Sequence, residues 1–531
     1  MRQVNIFTFS LLAALSLASC SNENAMPETQ LGQERNTNVP EGVTVGRFVA
    51  PPATRTTAEY DAPYLWFYWT KGDKVWLHDE DETPEYIQSI GSTIETSGQD
   101  KVAYAEFFFK YKPTKPVYPI RYTGYPTSIV DQVTITPTQN QAEPNKGEHI
   151  KGDGDCGVGS FTRRADGKYD FSLTHSASYL TFTPYFSKGF DKKVVLTQVK
   201  ISADQALTGT FEIDDDGLIL DTRPEADSSN TSITLTFKGG GENGFAVPKE
   251  SKPEANAGIM VVAPGDYTNF SVEYSLYDQE TKVSGKVVYN YGNFTLTAGK
   301  NIRLSPDLDV RYFAADQYYM WDAQPGEHYW KGAKRQPYLN GKYGDSYAKF
   351  DTDSRWYNTV EHPGKASRLM KDNLNANELM WLAYYGTPHY DPEIWTIMGH
   401  LYAGGVWLRN LDVIGMYQKK TRAEMRATSP KGVDFTAHSP YNNFGWYIYS
   451  NTSVIQHRPR PTLGYFYIPT TGFYCDGKLR RIGVRGYVWS STPRQHGSSL
   501  VPQGFNLYVS QNEVHTGYGN RSNGEYQHKM Q

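Results

Sequence analysis

Between Val43 and Asp309 the chain alternates apolar and polar residues in short runs broken by turn residues. "SITLTF" (Ser232–Phe237), "FSVEYSLY" (Phe270–Tyr277), "KVVYNY" (Lys286–Tyr291) and "FTLTAGKNIRL" (Phe294–Leu304) are the clearest examples. Alternation at period two, rich in Thr, Val and aromatics, predicts half-buried antiparallel strands. No amphipathic helical pattern interrupts them, so β-sandwiches are the expected architecture. The glycine-rich, charged stretch Glu143–Asp170 reads as a linker, which divides the region into sandwiches over residues 43–160 and 161–310. From Arg311 to residue 531 the texture changes to an α+β outline. "NANELMWLAYYG" predicts a helix capped by Asn375, with Glu378 completing a capping box and Gly386 at its end. "YFYIP" (Tyr465–Pro469), "GYVWS" (Gly486–Ser490) and "FNLYVS" (Phe505–Ser510) predict short strands.

The front of the chain carries an address. Arg2 precedes a nearly uncharged apolar run, Ile6–Ala18, which is too short to span a bilayer and has the proportions of a secretory signal. The run ends in Leu17-Ala18-Ser19-Cys20, which resembles a bacterial lipobox and marks Cys20 as the acylated residue after residues 1–20 are processed. Residues 21–42 are polar and proline-containing, as a flexible tether should be. Ser21 after the cysteine implies the outer membrane, so the expected location is a lipid-anchored cell-surface protein.

Composition narrows the partners. With 53 basic and 57 acidic residues the net charge is −4, so no global field draws the chain to nucleic acid. Beyond Cys20 only Cys156 and Cys475 remain; a disulfide between them is open, but a disulfide framework is excluded. No CxxC or Cys/His cluster is spaced for zinc, and no cofactor is expected. Asp153-Gly-Asp155 lacks the ligand ladder of a calcium loop and reads as a solvated turn. Glu212–Asp221 reads as a β-turn with Gly217 at its tight position.

Catalytic chemistry finds little support. Ser490 or Ser491 with His496 offers a nucleophile and a base, but no G-x-S-x-G elbow surrounds them and no acid partner is identifiable. The hydroxyls therefore read as groups that satisfy a turn, with Trp489 in the core. His389, His400 and His438 are scattered, and Asp391 beside His389 falls in a proline-rich loop. Arg480, Arg481, Arg485 and Arg494 cluster in sequence beside Tyr474, Tyr487 and Trp489, a mixture suited either to ligand contact or to solvated strand edges. The candidate recognition residues are Arg485, Tyr487, Arg494, Gln495 and His496.

Two resemblances give these elements a context. "VTVGRFVAPPATRT" (Val43–Thr56), "WTKGDKVWL" (Trp69–Leu77), "FSLTHSASYLTF" (Phe171–Phe182), "LTGTFEI" (Leu207–Ile213), "VVAPGDY" (Val261–Tyr267) and "FTLTAGKNIRL" follow one another in an order that resembles the fimbrillin (Mfa-like) family of Bacteroidales. That resemblance implies two transthyretin-like β-sandwich domains and lipoprotein export. It also implies assembly into pili by strand addition, after an arginine-specific protease removes the first strand. Arg47 and Arg55 are the two positions open to such a cut. "NANELMWLAYYGTPHYD", "GHLYAGGVWLRN" and "YFYIPTTGFYCDGKLRRIGVRGYVWSST" resemble the Fibrobacter major paralogous domain, as does the closing "FNLYVSQNEVHTGYGNRSNG". This implies a C-type-lectin-like fold over residues 311–531. Its usual Cys-Pro-x-Gly-Trp-Arg opening is missing, as are the triplets that hold calcium in sugar-binding lectins.

The fold class expected is therefore mostly β: two sandwiches followed by an α+β, C-type-lectin-like domain. The function expected is a non-enzymatic fimbrial tip or accessory subunit, with other fimbrial subunits as partners and a glycan or protein ligand at the lectin-like domain. A membrane-bound glycan-binding lipoprotein for nutrient capture is the alternative, and a surface hydrolase a weaker third.

Overall fold

The computed structural model describes residues 42–49, 57–80, 85–125, 129–360, 365–437, 449–494 and 502–528. Cys20, Arg55, His438, Gln495 and His496 lie outside the described residues. The protein is mostly β, and its helices are few and short. The described residues divide into two compact units: one takes in those up to Ser187 with Val195–Leu276 and Lys286–Leu308, the other Lys188–Val194, Tyr277–Gly285 and those from Asp309 onward.

In the first unit we label β1 (Thr44–Phe48), β2 (Tyr64–Thr70), β3 (Glu106–Phe109), β4 (Gly157–Arg163), β5 (Tyr169–His175), β6 (Ser178–Phe182), β7 (Gly265–Asp278) and β8 (Ser284–Leu296), of which residues 277–278 and 284–285 are counted with the second unit. The largest sheet has eight strands, ordered Glu85–Gln88, Trp76–Asp79, Val117–Tyr122, β4, β5, β1, β3 and Gly91–Ser92. Its inner face, from Phe48, Phe107, Phe109, Tyr118, Ile120, Phe161 and Phe171, closes over Trp69 of β2 to make an aromatic core. A second set of sheets holds the strands expected from the periodicity: Ser232–Phe237 forms as read, and β7 alternates buried and exposed residues along most of its length. "FTLTAGKNIRL" is two strands rather than one, because Thr297–Lys300 turns with Gly299 at positive φ between β8 and Asn301–Leu304.

The segment read as a linker is built into these sheets. Gly157–Arg163 is β4, bonded to Val117–Tyr122 on one side and to β5 on the other, so the division expected at residues 160 and 161 falls inside a strand. Gln132–Ile135 and Thr138–Gln141 pair with Gly209–Asp214 and Ser232–Phe237, tying early sequence to the later sandwich. Glycine in this segment serves close packing as well as flexibility: a Cβ on Gly159 would lie 1.8 Å from the Ser172 carbonyl oxygen.

In the second unit we label α1 (Ala376–Tyr385), β9 (His389–Ile397), β10 (His400–Arg409), α2 (Leu411–Gln418), α3 (Arg422–Ala427), β11 (Tyr465–Pro469), β12 (Arg485–Arg494), β13 (Gln503–Ser510), β14 (Val514–Asn520) and β15 (Gly524–Tyr526). Asn375 and Glu378 form the expected capping box, and Gly386 ends the helix. Leu379, Leu382 and Ala383 pack against Val488, Leu507, Val509 and Val514 of β12 to β14. One four-stranded sheet runs Ser450–Asn451, β14, β13, β12; another places β15 between Tyr318–Tyr319 and Phe473–Cys475.

Candidate functional site

Three of the residues expected to form a recognition edge are described: Arg485 and Tyr487 are joined by a side-chain hydrogen bond, while Arg494 stands apart from them. Arg485 and Arg494 occupy opposite ends of the ten-residue β12. Arg485 lies over the Tyr508 ring at 4.2 Å and 3.6 Å from Glu513, while Arg494 lies over Tyr518 at 4.0 Å and donates to Gln503 at 2.9 Å. Tyr487 is only 8% exposed, packed between Phe473 and Tyr508, and burial pushes its phenol up. It is a core-facing strand residue, because its register partner Tyr508 and the neighbouring Phe473 cover its ring.

Ser490, Ser491 and Thr492 are buried within β12, not in a turn beyond it. A register shift between Trp489 and Pro493 lets the strand absorb them. Ser490 Oγ accepts from the Thr492 N–H at 3.0 Å, and Thr492 Oγ1 accepts from the Ala376 N–H at 2.9 Å, satisfying a free donor at the first turn of α1. Trp489 is buried as expected and donates through Nε1 to the Tyr319 carbonyl at 3.3 Å. These contacts commit the Ser490 and Thr492 hydroxyls to structure.

Of the scattered histidines, His389 and His400 are described, and both have structural partners. His389 Nδ1 lies 3.0 Å from the His457 carbonyl oxygen, and Asp391 accepts from Trp407 Nε1 at 2.9 Å, so the two do not form a ligand pair. His400 Nδ1 sits 3.0 Å from Asp278 Oδ2. In the first unit Asp155, read as part of a solvated turn, is fully buried with His175 Nδ1 at 2.9 Å and the Tyr179 hydroxyl beside it. It is buried because the residues on either side of it enter the sandwich core, where Cys156 packs. Cys156 and Cys475 are both free thiols. His78, Glu80 and Asp215 lie close enough to share a cation, but Arg121 Nε already holds Asp215 Oδ1 at 2.6 Å, and its positive charge opposes a second cation there.

A concave site in the second unit was not anticipated from the sequence. A groove of about 500 Å³ opens at the C-terminal end of α1, lined by Tyr384, Tyr385, Thr387, Pro388, Arg409, Ile414, Tyr417, Gln418, Tyr449, Asn451, Ser453 and Ile455. Its frame is hydrogen-bonded at each corner. The Arg409 N–H donates to the Gly386 carbonyl at 2.7 Å, joining the end of β10 to the end of α1. Asn410 caps α2 through the Val413 N–H at 2.9 Å, which sets the helix that carries Tyr417 and Gln418. Asn451 Nδ2 donates to the Ala383 carbonyl at 2.9 Å, and Tyr449 stacks on Tyr384 with centroids 3.6 Å apart. The Pro388 carbonyl accepts from Ile455 at 2.9 Å, closing the far wall. The signal in the sequence was a set of tyrosines at element ends, in "LAYYG", "GMYQ" and "YIYSN". Nothing in a linear pattern shows that such ends converge.

No helix among the described residues is long and apolar enough to cross a membrane. No protein-family model matches the chain, and no curated protein matches it. Among solved structures, it is similar to a "putative cell adhesion protein" of Bacteroides ovatus, at 12% identity over 50% of this chain and 90% of that one, with a TM-score of 0.29. It is also similar to a fimbrial assembly protein of Parabacteroides distasonis, at 11% identity over 50% and 90%, with a TM-score of 0.23. A "putative adhesin" of Bacteroides thetaiotaomicron aligns at 11% identity over 51% and 94%, with a TM-score of 0.20. At these scores the likenesses carry no functional weight.

Proposed function

We propose that this chain is an exported, non-enzymatic adhesion subunit of fimbrillin type, which accepts a strand from a partner subunit and stands at the end of a fibre. The observation that carries the proposal is the place of β1. This five-residue strand lies inside the eight-stranded sheet, antiparallel to β3 on one side and parallel to β5 on the other. Its loss would leave two facing rows of unpaired backbone groups, which another chain's strand could complete.

The side chains define what a replacement strand must supply. Phe48 is 1% exposed, with its ring edge-on to Trp69 and Phe171 at 5.3 Å each, so the incoming strand needs a large apolar residue at that register. The two arginines differ as cutting sites. Arg47 is hydrogen-bonded within the sheet and ion-paired to Asp170, so a protease reaches it only after the strand leaves. Arg55 precedes Thr57, the first residue of the next strand, and a cut there frees β1 in one piece.

Two strands of the second unit are paired on both of their edges. β14 pairs with β13 and Ser450–Asn451, and β15 pairs with Tyr318–Tyr319 and Phe473–Cys475. Both are committed within their own unit, so neither is available as a donor. The second unit, read as C-type-lectin-like, is the part displayed for a glycan or protein ligand, and Cys20 anchors the precursor at the outer membrane. Immunogold labelling of intact cells tests this reading. Label confined to fibre ends supports it; label along fibres, or over the cell envelope alone, overturns it.

A further inference from the structure

We infer that the groove at the end of α1 is a carbohydrate-binding site for a glycan carrying a sugar carboxylate. The inference deepens the adhesive reading and rests on it for its biological use. Three observations point to this ligand class.

The first is the stacking surface. Tyr417 is 61% exposed and Tyr385 37%, so both rings present aromatic surface at the groove. The C–H face of a pyranose ring is weakly positive and apolar, and it complements the negative face of a tyrosine ring. Tyrosine also loses little conformational entropy on binding, which suits a preformed contact platform. The stacked Tyr449 and the hydrogen-bonded corners hold that platform without a ligand.

The second observation is the polar spacing. Gln418, Asn451 and Ser453 stand among the rings, offering amide and hydroxyl groups to sugar hydroxyls. A purely apolar groove would suit a helix or a lipid, whereas this alternation of ring faces and short polar groups suits an oligosaccharide.

The third is charge. Arg409 is the only charged residue in the lining. Its Nε donates to the Tyr465 hydroxyl at 3.1 Å and its guanidinium lies 5.0 Å over Tyr417, yet it has no carboxylate partner among the described residues. A guanidinium held this way is oriented by its neighbours and can donate two parallel N–H bonds from its Nη groups to a carboxylate. A uronic or sialic acid residue supplies that carboxylate together with a ring face for Tyr417.

The test uses the full chain and isothermal titration with tetragalacturonic acid and 3′-sialyllactose, each against its neutral counterpart, galactotetraose and lactose. At least one acidic probe is expected to bind, and more tightly than its neutral counterpart. Tyr417→Ala, at an exposed position that leaves the fold unchanged, is expected to weaken binding about tenfold through loss of a stacked, cation-supported face. Arg409→Gln is expected to bring the acidic probe to the affinity of the neutral one. No binding by either acidic probe, binding unaffected by both substitutions, or equal affinity for a short polyglutamate peptide overturns the assignment. Solution binding and fibre labelling fail separately. A silent groove on a labelled fibre tip removes only this inference, and a binding groove on a protein labelled over the envelope removes only the fibre reading.

Discussion

Arg47 and Asp170 face one another in the register between β1 and β5, and the guanidinium grips the carboxylate at two points, Nε to Oδ1 at 3.0 Å and Nη2 to Oδ2 at 3.1 Å. This clasp fastens the strand that the proposed assembly must release. Both side chains are partly solvated, so the pair contributes modestly: Asp170→Ala is expected to lower stability by about 0.5–1 kcal/mol. Its larger effect should be kinetic. Limited digestion with an arginine-specific protease is expected to cut at Arg47 faster in the variant than in the unaltered chain, and equal rates would mean the clasp does not hold β1.

Phe48 anchors β1 by a different force. Its ring fills a site between Trp69 and Phe171, and truncation leaves a cavity in an aromatic core. Phe48→Ala is expected to cost about 3–5 kcal/mol, read as a lower denaturation midpoint. A loss under about 1 kcal/mol would show that the pocket collapses and that the register of a replacement strand is loosely specified.

Asp278 and His400 give a pH-dependent contact in the second unit. Burial pushes the Asp278 carboxyl up, but the hydrogen bonds from His400 and from the N–H groups of Leu401 and Glu280 outweigh it and hold the carboxyl below its usual range. A depressed folded-state pKa stabilises above the ordinary carboxylate value of about 4, and that stabilisation is lost as pH falls through the folded value. Thermal unfolding should therefore show Asp278→Asn less stable than the unaltered chain at neutral pH, with the gap closing in acid. A gap that is constant with pH contradicts the assignment.

Glu525 has the opposite sign. It is 1% exposed, and burial pushes its carboxyl well above the usual range, with the bond from Asn506 Nδ2 at 2.7 Å opposing that shift less strongly. The folded chain keeps the proton where the unfolded chain gives it up, so stability falls as pH rises above about 4. Glu525→Gln removes this dependence. The variant is expected to gain on the unaltered chain between pH 4 and pH 8, and parallel stability profiles across that range would contradict it.

Much of this structure was legible in the sequence wherever one element's own pattern decides the outcome. Ser232–Phe237 alternates and is a strand; Asn375 and Glu378 are spaced for a capping box and form one; Trp489 ends an apolar run and is buried. What the pattern could not give was pairing. Period two shows that Thr44–Phe48 is extended, but not that it lies between strands about sixty and more than a hundred residues away. The glycines and charges of 143–170 read as a linker because the packing that requires Gly159 is made by Ser172, on another strand. Tyr487 read as exposed because the rings that cover it come from residues 473 and 508. The groove was invisible for the same reason: its tyrosines come from the ends of separate elements, and only the fold brings them to one wall.

The central claim is that β1 is a replaceable strand, and sequencing the N-terminus of this chain from purified fibres tests it most directly. The account predicts a first residue of Thr56, with residues 44–48 gone from the assembled subunit. A fibre-borne chain that begins at acylated Cys20, or anywhere else before Thr44, would contradict it.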